Sequence, residues 1–292
     1  MVLKKLLPVF VIAALILFAS NFFLQYAIGQ SVYPLPPPSS KVTIERFPEK
    51  VRESLKNVIG ITVTYKNNSP RSLLGNELVA SGTGFMIEPG IYVTARHVLM
   101  DTITRSGFAL SFDKYSVPSS NILNYVITGT TDTNNKTQDI SLRVIGMGMP
   151  SEYQDFLILQ STNYPSELKP IRPDETILAV DDTVYNAGYV HIFVPLASYP
   201  INSLVLLDIL RLSFEGKINS VITNMPINKR GASVLYRIET RMESGFSGGP
   251  ILNSEGRAVA ISSLRNDNFL YAIPIRDLRP LVNQLKRDGV IK

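Results

Sequence analysis

The chain has 292 residues, of which 45% are hydrophobic and 18% are charged, so it is long enough to bury a sizeable core. Its net charge of +5 is spread along the sequence and forms no basic stripe, so we do not expect it to bind nucleic acid. The absence of cysteine excludes disulfides and thiolate chemistry, and with only two histidines and no His-Glu-x-x-His pattern we expect neither a metal nor a cofactor.

An uncharged apolar segment, Leu6–Leu24, follows Lys4 and Lys5 near the N-terminus. A helix of this length can span a bilayer, and the preceding lysines favour a cytoplasmic N-terminus with the body outside. Ala27 and Gly29 are small residues at the positions that a signal peptidase requires before its cleavage site. Residues 1–29 are therefore either a retained membrane anchor or a cleaved signal peptide. We therefore expect a protein that is membrane-anchored and faces outside the cytoplasm, or is secreted.

A proline-rich stretch separates this segment from the rest of the chain. The prolines between Pro34 and Pro38 favour an extended, semi-rigid spacer, and Phe47–Val58 then has the pattern of a short amphipathic helix. The sequence thus predicts a linker over residues 30–45 and a folded domain over residues 46–292.

The folded domain has the pattern of an all-β protein. Ile59–Tyr65 alternates β-branched and small or polar residues, and similar short apolar runs bounded by Gly, Pro, Asn and Asp recur to about residue 274. Long helical periodicity is absent from this region, which predicts a pair of barrels or a sandwich.

The end of the chain breaks this pattern. Asp277–Asp288 has apolar residues on one helical face, Asp277 in a capping position, Pro280 in the first turn and Gly289 just after the last residue. We expect a C-terminal helix over residues 277–288 that packs against the last barrel.

A serine lies among three glycines in Gly245–Pro250, where glycines allow the close backbone approach that an oxyanion site needs. The motif also fits the Gly-x-Ser-x-Gly elbow of α/β-hydrolases, but that fold requires a histidine after the serine. His97 and His191 both precede Ser247, which excludes the elbow. The order histidine, acid, serine remains.

His97 ends a strand pattern, a place suited to a general base. Before it, Gly82 and Gly84 match the start of a dinucleotide-binding fingerprint, but Ile87 occupies the third glycine position and no crossover helix follows, so this hypothesis is discarded. His191 is interpreted as a structural residue.

These motifs resemble those of a known family. Thr94–His97 resembles the Thr-Ala-x-His of trypsin-fold serine proteases, and Gly245–Pro250 resembles their Gly-x-Ser-Gly-Gly-Pro. Three further segments are similar to the HtrA/Deg branch in particular: Ser81–Phe85, Gly216–Val221 and Tyr271–Pro274.

The resemblance covers roughly residues 55–288 and implies a chymotrypsin-like fold. This fold consists of two six-stranded antiparallel β-barrels, here expected over about residues 55–170 and 175–275, followed by the C-terminal helix. Many HtrA relatives append a PDZ domain, but the sequence stops at Lys292, directly after the predicted helix, so none is expected.

The resemblance also implies a catalytic triad of His97, Asp155 and Ser247, with the backbone N–H groups of Gly245 and Ser247 as the oxyanion hole. Asp139 is the alternative acid. Asp155 is preferred because four apolar residues follow it immediately, as the family's buried acid requires.

The sequence departs from the family at the residue before the serine, where Phe246 replaces the usual Asp or Asn. Either packing of the ring takes over the positioning of this loop, or the loop stays disordered until substrate arrives. Arg241 lies near the segment that sets P1 preference and either favours acidic P1 residues or is simply exposed. Ser262 and Ser263 are expected to lie along the substrate or to support Asp155.

The resulting functional hypothesis is a serine endopeptidase with protein or peptide substrates, acting on unfolded or damaged proteins outside the cytoplasm. The alternative from another class is a catalytically silent trypsin-fold protein that binds peptides or partners at the cell surface. Esterase action by the same triad is a further alternative, and the sequence does not indicate an oligomeric state.

Overall fold

The structure is a computed structural model that describes residues 44–65, 77–100, 113–117, 125–133, 136–149, 154–195, 204–224, 233–266 and 269–291. The chain divides into two units, Met1–Val42 and Thr43–Lys292. The first unit, with the predicted membrane segment and nearly all of the predicted linker, lies outside the described residues. Among the residues that are described, no helix is both long and apolar enough to cross a membrane.

Six antiparallel strands form a first closed barrel. In chain order they are β1 (Val58–Tyr65), β2 (Glu77–Glu88), β3 (Ile91–Thr94), β4 (Tyr125–Thr133), β5 (Lys136–Met147) and β6 (Leu157–Gln160). Around the barrel the order is β1-β2-β3-β6-β5-β4. The alternation in β1 explains its place, because Ile59, Ile61 and Val63 point into the barrel core while Thr62 and Thr64 lie half-buried on the other face.

Six later strands form a second closed barrel. They are β7 (Thr183–Pro195), β8 (Leu204–Asn224), β9 (Ser233–Glu239), β10 (Pro250–Leu252), β11 (Ala258–Asn266) and β12 (Phe269–Pro274). Around the barrel the order is β10-β11-β12-β9-β8-β7, and fully buried residues such as Ile238, Ala260 and Leu270 fill its core. The predicted all-β fold of two six-stranded barrels with a C-terminal helix is therefore confirmed.

A separate apolar cluster joins residues of both barrels to the two flanking helices. The short helix Glu49–Leu55 contributes Val51 and Leu55, and the ring of Phe47 lies 4.8 Å from the ring of Tyr185 in β7. The residues before the first strand thus pack against the second barrel, so this helix helps to hold the two barrels together.

The C-terminal helical segment starts differently from the prediction. A 3₁₀ turn, Ile275–Leu278, precedes an α-helix over Arg279–Arg287. Asp277 was expected to cap the helix, but this prediction is wrong: the N-cap position is Leu278, which makes no side-chain capping bond, and Asp277 lies inside the 3₁₀ turn.

The C-terminal helix packs against the first barrel, in addition to joining the apolar cluster that contains residues of the second. A Cβ added at Gly146 in β5 would lie 3.1 Å from Leu281 and 3.2 Å from Leu285, so the helix lies against the first barrel. Lys286 donates a hydrogen bond to Glu88 of β2 at 2.6 Å, on the same side. The glycine in β5 allows this close approach, because a side chain there would force the two leucines to move by a few tenths of an ångström.

Candidate active site

The structure brings His97 and Asp155 into direct contact. His97 begins a helical turn just after β3, and Asp155 lies two residues before β6, the strand that pairs with β3 through Thr94 and Leu157. The backbone N–H of His97 donates to one carboxylate oxygen at 2.8 Å, and Nδ1 of its imidazole lies 2.6 Å from the other. These two contacts fix both the position and the orientation of the ring.

Asp155 is a buried carboxylate whose pKa is held below its usual range. Burial alone would raise the pKa, but hydrogen bonds and charge interaction with His97, together with a hydrogen bond from Ser263, outweigh it. The group therefore stays ionised at neutral pH and can stabilise a protonated imidazole beside it.

Ser263 connects this pair to Ser247. The hydroxyl of Ser263 donates to the carboxylate of Asp155, and its backbone carbonyl accepts a hydrogen bond from the Ser247 hydroxyl at 3.3 Å. Ser263 itself is 1% exposed, at the last buried position of β11. The second of the two roles considered for this residue, support of Asp155, matches these contacts.

The close packing at Gly82 also brings the segments of His97 and Ser247 together. A Cβ added at Gly82 would lie 2.6 Å from Val98, the residue after His97, and 2.9 Å from the carbonyl oxygen of Ser247. A larger residue at position 82 would push these two segments apart.

Ser247 lies in a tight turn that we call the serine loop, Glu243–Gly248. Gly245 and Gly248 have φ values of +99° and +89°, which side-chain-bearing residues rarely adopt. A Cβ at Gly245 would lie 2.3 Å from the carbonyl oxygen of Tyr189, and one at Gly248 would lie 2.2 Å from the hydroxyl of Thr94. Both glycines are thus required by conformation and by space.

Ser262 supports the serine loop from β11. Its hydroxyl contacts the carbonyl oxygens of Phe246 at 2.5 Å and Gly249 at 3.1 Å. Its backbone carbonyl accepts from the N–H of Gly248 at 2.7 Å. These contacts assign Ser262 to the support of the loop rather than to either role considered from the sequence.

Thr83 is a residue of the site that sequence reasoning missed. Its N–H donates to the carbonyl of Ser247 at 2.8 Å, and its hydroxyl donates to the carbonyl of Gly245 at 2.6 Å. The same hydroxyl accepts from the N–H of Tyr189 at 2.8 Å, while its carbonyl accepts from the hydroxyl of Thr94 at 2.6 Å. Thr83 thus ties the serine loop to the first barrel, and the only sequence signal was its place in the Ser-Gly-Thr-Gly-Phe hairpin.

Phe246 is fully buried, although its neighbour Ser247 is partly exposed. Its ring belongs to the core of the second barrel and stacks on Phe214 with ring centroids 5.8 Å apart. Of the two possibilities that the sequence left open for this position, packing of the ring is the one that the structure matches.

Other candidates lie outside this constellation. Arg241 is exposed and pairs with Glu243 at 2.7 Å, as the plainer of its two interpretations predicts. Asp139, the alternative acid, is exposed on β5 beside the hydroxyl of Thr130. The backbone of His191 lies in β7, but its side chain lies outside the described part of the structure.

No group of three or more His, Cys, Asp or Glu side chains within the described ranges is placed to hold a metal ion. What the site does offer is an imidazole oriented by an ionised carboxylate, and a hydroxyl in a glycine-rich loop that is linked to the same carboxylate through Ser263. This arrangement suits proton transfer coupled to nucleophilic attack.

Comparison with known proteins agrees with this geometry. The family model for the trypsin-like peptidase domain matches residues 82–261, a range that includes Thr83, His97, Asp155 and Ser247 and ends just before Ser262 and Ser263. This chain belongs to the trypsin-like peptidase family. No curated protein matches the full sequence closely enough to be reported as a relative.

Solved structures support the fold of this trypsin-like peptidase. Deg5 superposes with a TM-score of 0.54 at 18% identity, over 81% of this chain and 91% of Deg5. An inactive mutant form of Rv3671c from M. tuberculosis H37Rv superposes with a TM-score of 0.52 at 16% identity, over 86% of this chain and 96% of its own. The similarity extends over nearly the whole of both proteins, so the two-barrel architecture is shared as a unit.

Proposed function

We propose that this trypsin-like peptidase is a serine endopeptidase that hydrolyses peptide bonds through His97, Asp155 and Ser247 and an acyl-enzyme intermediate. The observation that carries the proposal is the double contact between His97 and Asp155, linked through Ser263 to the hydroxyl of Ser247. A surface histidine and a surface serine would need none of these constraints.

The contacts define how the proton would move. Because Nδ1 of His97 faces Asp155, the opposite nitrogen, Nε2, takes the proton of the Ser247 hydroxyl as its oxygen attacks the peptide carbonyl. The imidazolium that forms is stabilised by the ionised Asp155. It then gives its proton to the leaving amine as the C–N bond breaks, and a water molecule releases the acyl group by the reverse sequence.

The oxyanion of the tetrahedral intermediate would be held by the backbone N–H groups of Gly245 and Ser247. Donors of this kind contribute roughly 3–4 kcal/mol each to the stabilisation of the transition state in comparable enzymes. The positive φ of Gly245 and the contacts of Thr83 and Ser262 support this role because they hold the loop in one conformation.

The sequence motifs and the N-terminal segment suggest the substrates and the location. We propose unfolded or damaged proteins as substrates, in extracytoplasmic protein quality control, on the basis of the HtrA/Deg-like motifs. We also propose that residues 1–29 either anchor the protein in a membrane or are removed on export. A membrane would then be a partner only if this segment is retained.

Replacement of the nucleophile tests the enzymatic proposal. Ser247→Ala should abolish hydrolysis of casein and labelling by a fluorophosphonate, because both need the activated hydroxyl, while the unfolding temperature stays within a few degrees. Ser254→Ala, in the exposed turn before β11, is the matched control and should keep both activities. Absence of labelling in the unaltered protein would favour the silent, peptide-binding alternative, and hydrolysis that survives in Ser247→Ala would refute the mechanism.

A further inference from the structure

We propose that Phe246 is a positioning residue that keeps the serine loop in a catalytically organised conformation without substrate, by anchoring it in the core of the second barrel. The inference rests on the proposed function, since it concerns the loop that would form the oxyanion hole. In this chain the side chain before Ser247 carries no polar group, so it can hold the loop only by apolar contacts.

The ring of Phe246 is fully buried in the core of the second barrel. Phe246 is 0% exposed and belongs to the same apolar cluster as Ile251 and Leu270, whereas the neighbouring Ser247 reaches the surface. Burial of a large apolar side chain stabilises the state that buries it relative to one that leaves it in water. Any conformation of the loop that exposes the ring is therefore disfavoured.

The ring of Phe246 also packs tightly against β7. A Cβ added at Gly188 would lie 2.4 Å from both Cγ and Cδ1 of Phe246, so the ring occupies the space that any other residue at position 188 would need. On another side the ring stacks on Phe214 of β8 with an interplanar angle of 23°. Contact with two adjacent strands leaves the ring little freedom to rotate.

Phe246 lies between Gly245 and Ser247, whose N–H groups are the proposed oxyanion donors. The backbone torsions of Gly245 and Phe246 together determine how these two donors point relative to each other. The N–H of Phe246 donates to Glu243 at 3.2 Å, and its carbonyl accepts from Ser262 and from the N–H of Gly249. Fixing the ring thus fixes a backbone unit whose own polar groups are already satisfied.

An apolar anchor has a distinct chemical consequence. A loop held by an ionised carboxylate loses its organisation when that carboxylate is protonated or its partner is removed. A phenyl ring does not titrate, so the contacts that anchor Phe246 should not change with pH. The carboxylate of the loop itself belongs to Glu243, which pairs with Arg241 at 2.7 Å at the start of the loop.

The experiment compares Phe246→Ala with Phe246→Leu, which keeps most of the apolar volume. Leu270→Ala is the matched control, because Leu270 is equally buried in the same cluster but lies in β12, away from the loop. All three variants should lower the unfolding temperature. Only Phe246→Ala should lower kcat, by about 100-fold, the size of effect seen when an oxyanion donor is lost, with KM changing less than threefold.

A binding measurement separates loop geometry from general instability. A peptide boronic acid forms a tetrahedral adduct with the serine and places an oxygen in the oxyanion hole, whereas the matching peptide amide does not. Affinity for the boronic acid should fall about 100-fold in Phe246→Ala and less than about fivefold in Phe246→Leu, while affinity for the amide stays within threefold in both.

A second perturbation displaces the ring without removing it. Gly188→Ala places a methyl group 2.4 Å from the ring and 2.7 Å from Cα of Phe246. It should therefore displace this residue and reproduce the selective loss of kcat and of boronic acid affinity, although residue 188 itself lies in β7.

The outcomes distinguish this inference from the proposed function. If the unaltered protein hydrolyses no peptide and takes up no fluorophosphonate, the proposed function fails and the inference fails with it. If the unaltered protein is active and folded Phe246→Ala keeps kcat within threefold, or loses no more than Leu270→Ala, then only the inference is overturned.

Discussion

The two barrels hold their parts of the site by different interactions. The first barrel positions His97 through Asp155, a buried, ionised carboxylate. The backbone N–H and the imidazole of His97 each contact one oxygen of this carboxylate. The second barrel positions Ser247 through a buried phenyl ring, two glycines with positive φ and neutral hydrogen bonds. The histidine therefore depends on a charge, while the serine depends on shape, so each half of the site should fail under a different kind of substitution.

Removal of the charge in the first barrel should have the largest effect. Asp155→Asn keeps the shape of the side chain, but its amide group offers a donor to Nδ1 and favours the wrong tautomer of His97. We expect kcat to fall about 10⁴-fold with little change in fold, which is the effect of this substitution in serine proteases that use a histidine, aspartate and serine triad. Steady-state hydrolysis of a peptide substrate measures the change.

Asp139→Asn is the control for that experiment, because Asp139 is an exposed carboxylate on the same barrel. It should leave kcat within about twofold of the unaltered value, since surface substitutions away from a site have small effects. Equal losses in the two variants would mean that the contact with His97 has no catalytic importance.

Loss of the Thr83 hydroxyl should have an intermediate effect that couples the two barrels. Thr83→Val keeps the volume but removes the hydroxyl that donates to Gly245 and accepts from the N–H of Tyr189. We expect the free energy of unfolding to fall by about 2 kcal/mol, because two buried backbone groups lose this partner. Denaturant titration gives the stability change, and kcat should fall about tenfold, as the carbonyl of Gly245 is no longer held.

Thr83→Ser separates the hydroxyl from the methyl group. It retains both hydrogen bonds and should keep kcat within about twofold, with a stability loss of about 1 kcal/mol for the missing methyl group. A loss of kcat in the serine variant with none in the valine variant would show that packing of the methyl group, and not the hydroxyl, holds the loop.

The smallest effect concerns a charge that the fold disfavours. Burial raises the pKa of Asp277 to about 6, and the nearby Arg276 lowers it only in part. One of its carboxylate oxygens, Oδ2, is buried without a hydrogen-bond partner within the described ranges. Because the pKa is higher in the folded state than in the unfolded chain, Asp277 stabilises the fold when protonated, below about pH 4, and this contribution is lost as the pH rises through 6.

Asp277→Asn should therefore stabilise the protein at high pH and not at low pH. The full difference between the two pKa values would correspond to about 3 kcal/mol, but the group keeps some access to solvent, so we expect about 1 kcal/mol at pH 8 and none at pH 4. Thermal unfolding at the two pH values measures it. A stabilisation that is equal at both would point to a cause other than the charge.

Much of the fold could be predicted because its signals are local. Alternation in Ile59–Tyr65 predicts a strand with one buried face, and short apolar runs between turn residues predict the other strands. The motif order from His97 to Ser247 then predicts the two-barrel arrangement by resemblance. Each of these signals needs only a few neighbouring residues.

What could not be predicted depends on contacts between distant parts of the chain. Thr83 gains its role from carbonyl groups about 160 residues later, which no local pattern indicates. Asp277 has the residue type of a helix cap, but tertiary packing places it in a 3₁₀ turn. The sequence does not decide whether the ring of Phe246 packs in the core or the loop is disordered. The residues that surround the ring come from β7 and β8, which are distant in the chain.

The placement of the C-terminal helix bears on biosynthesis. Leu281 and Leu285 cover β5 next to Gly146, yet they are translated about 135 residues after it. During synthesis, all strands of the first barrel emerge from the ribosome before Leu281 and Leu285. The surface of β5 around Gly146 therefore stays exposed until the helix has been made. We expect ribosome-bound chains arrested before residue 279 to bind a hydrophobic dye that the chain with its C-terminal helix excludes, because Leu281 and Leu285 are then missing from this face of the barrel.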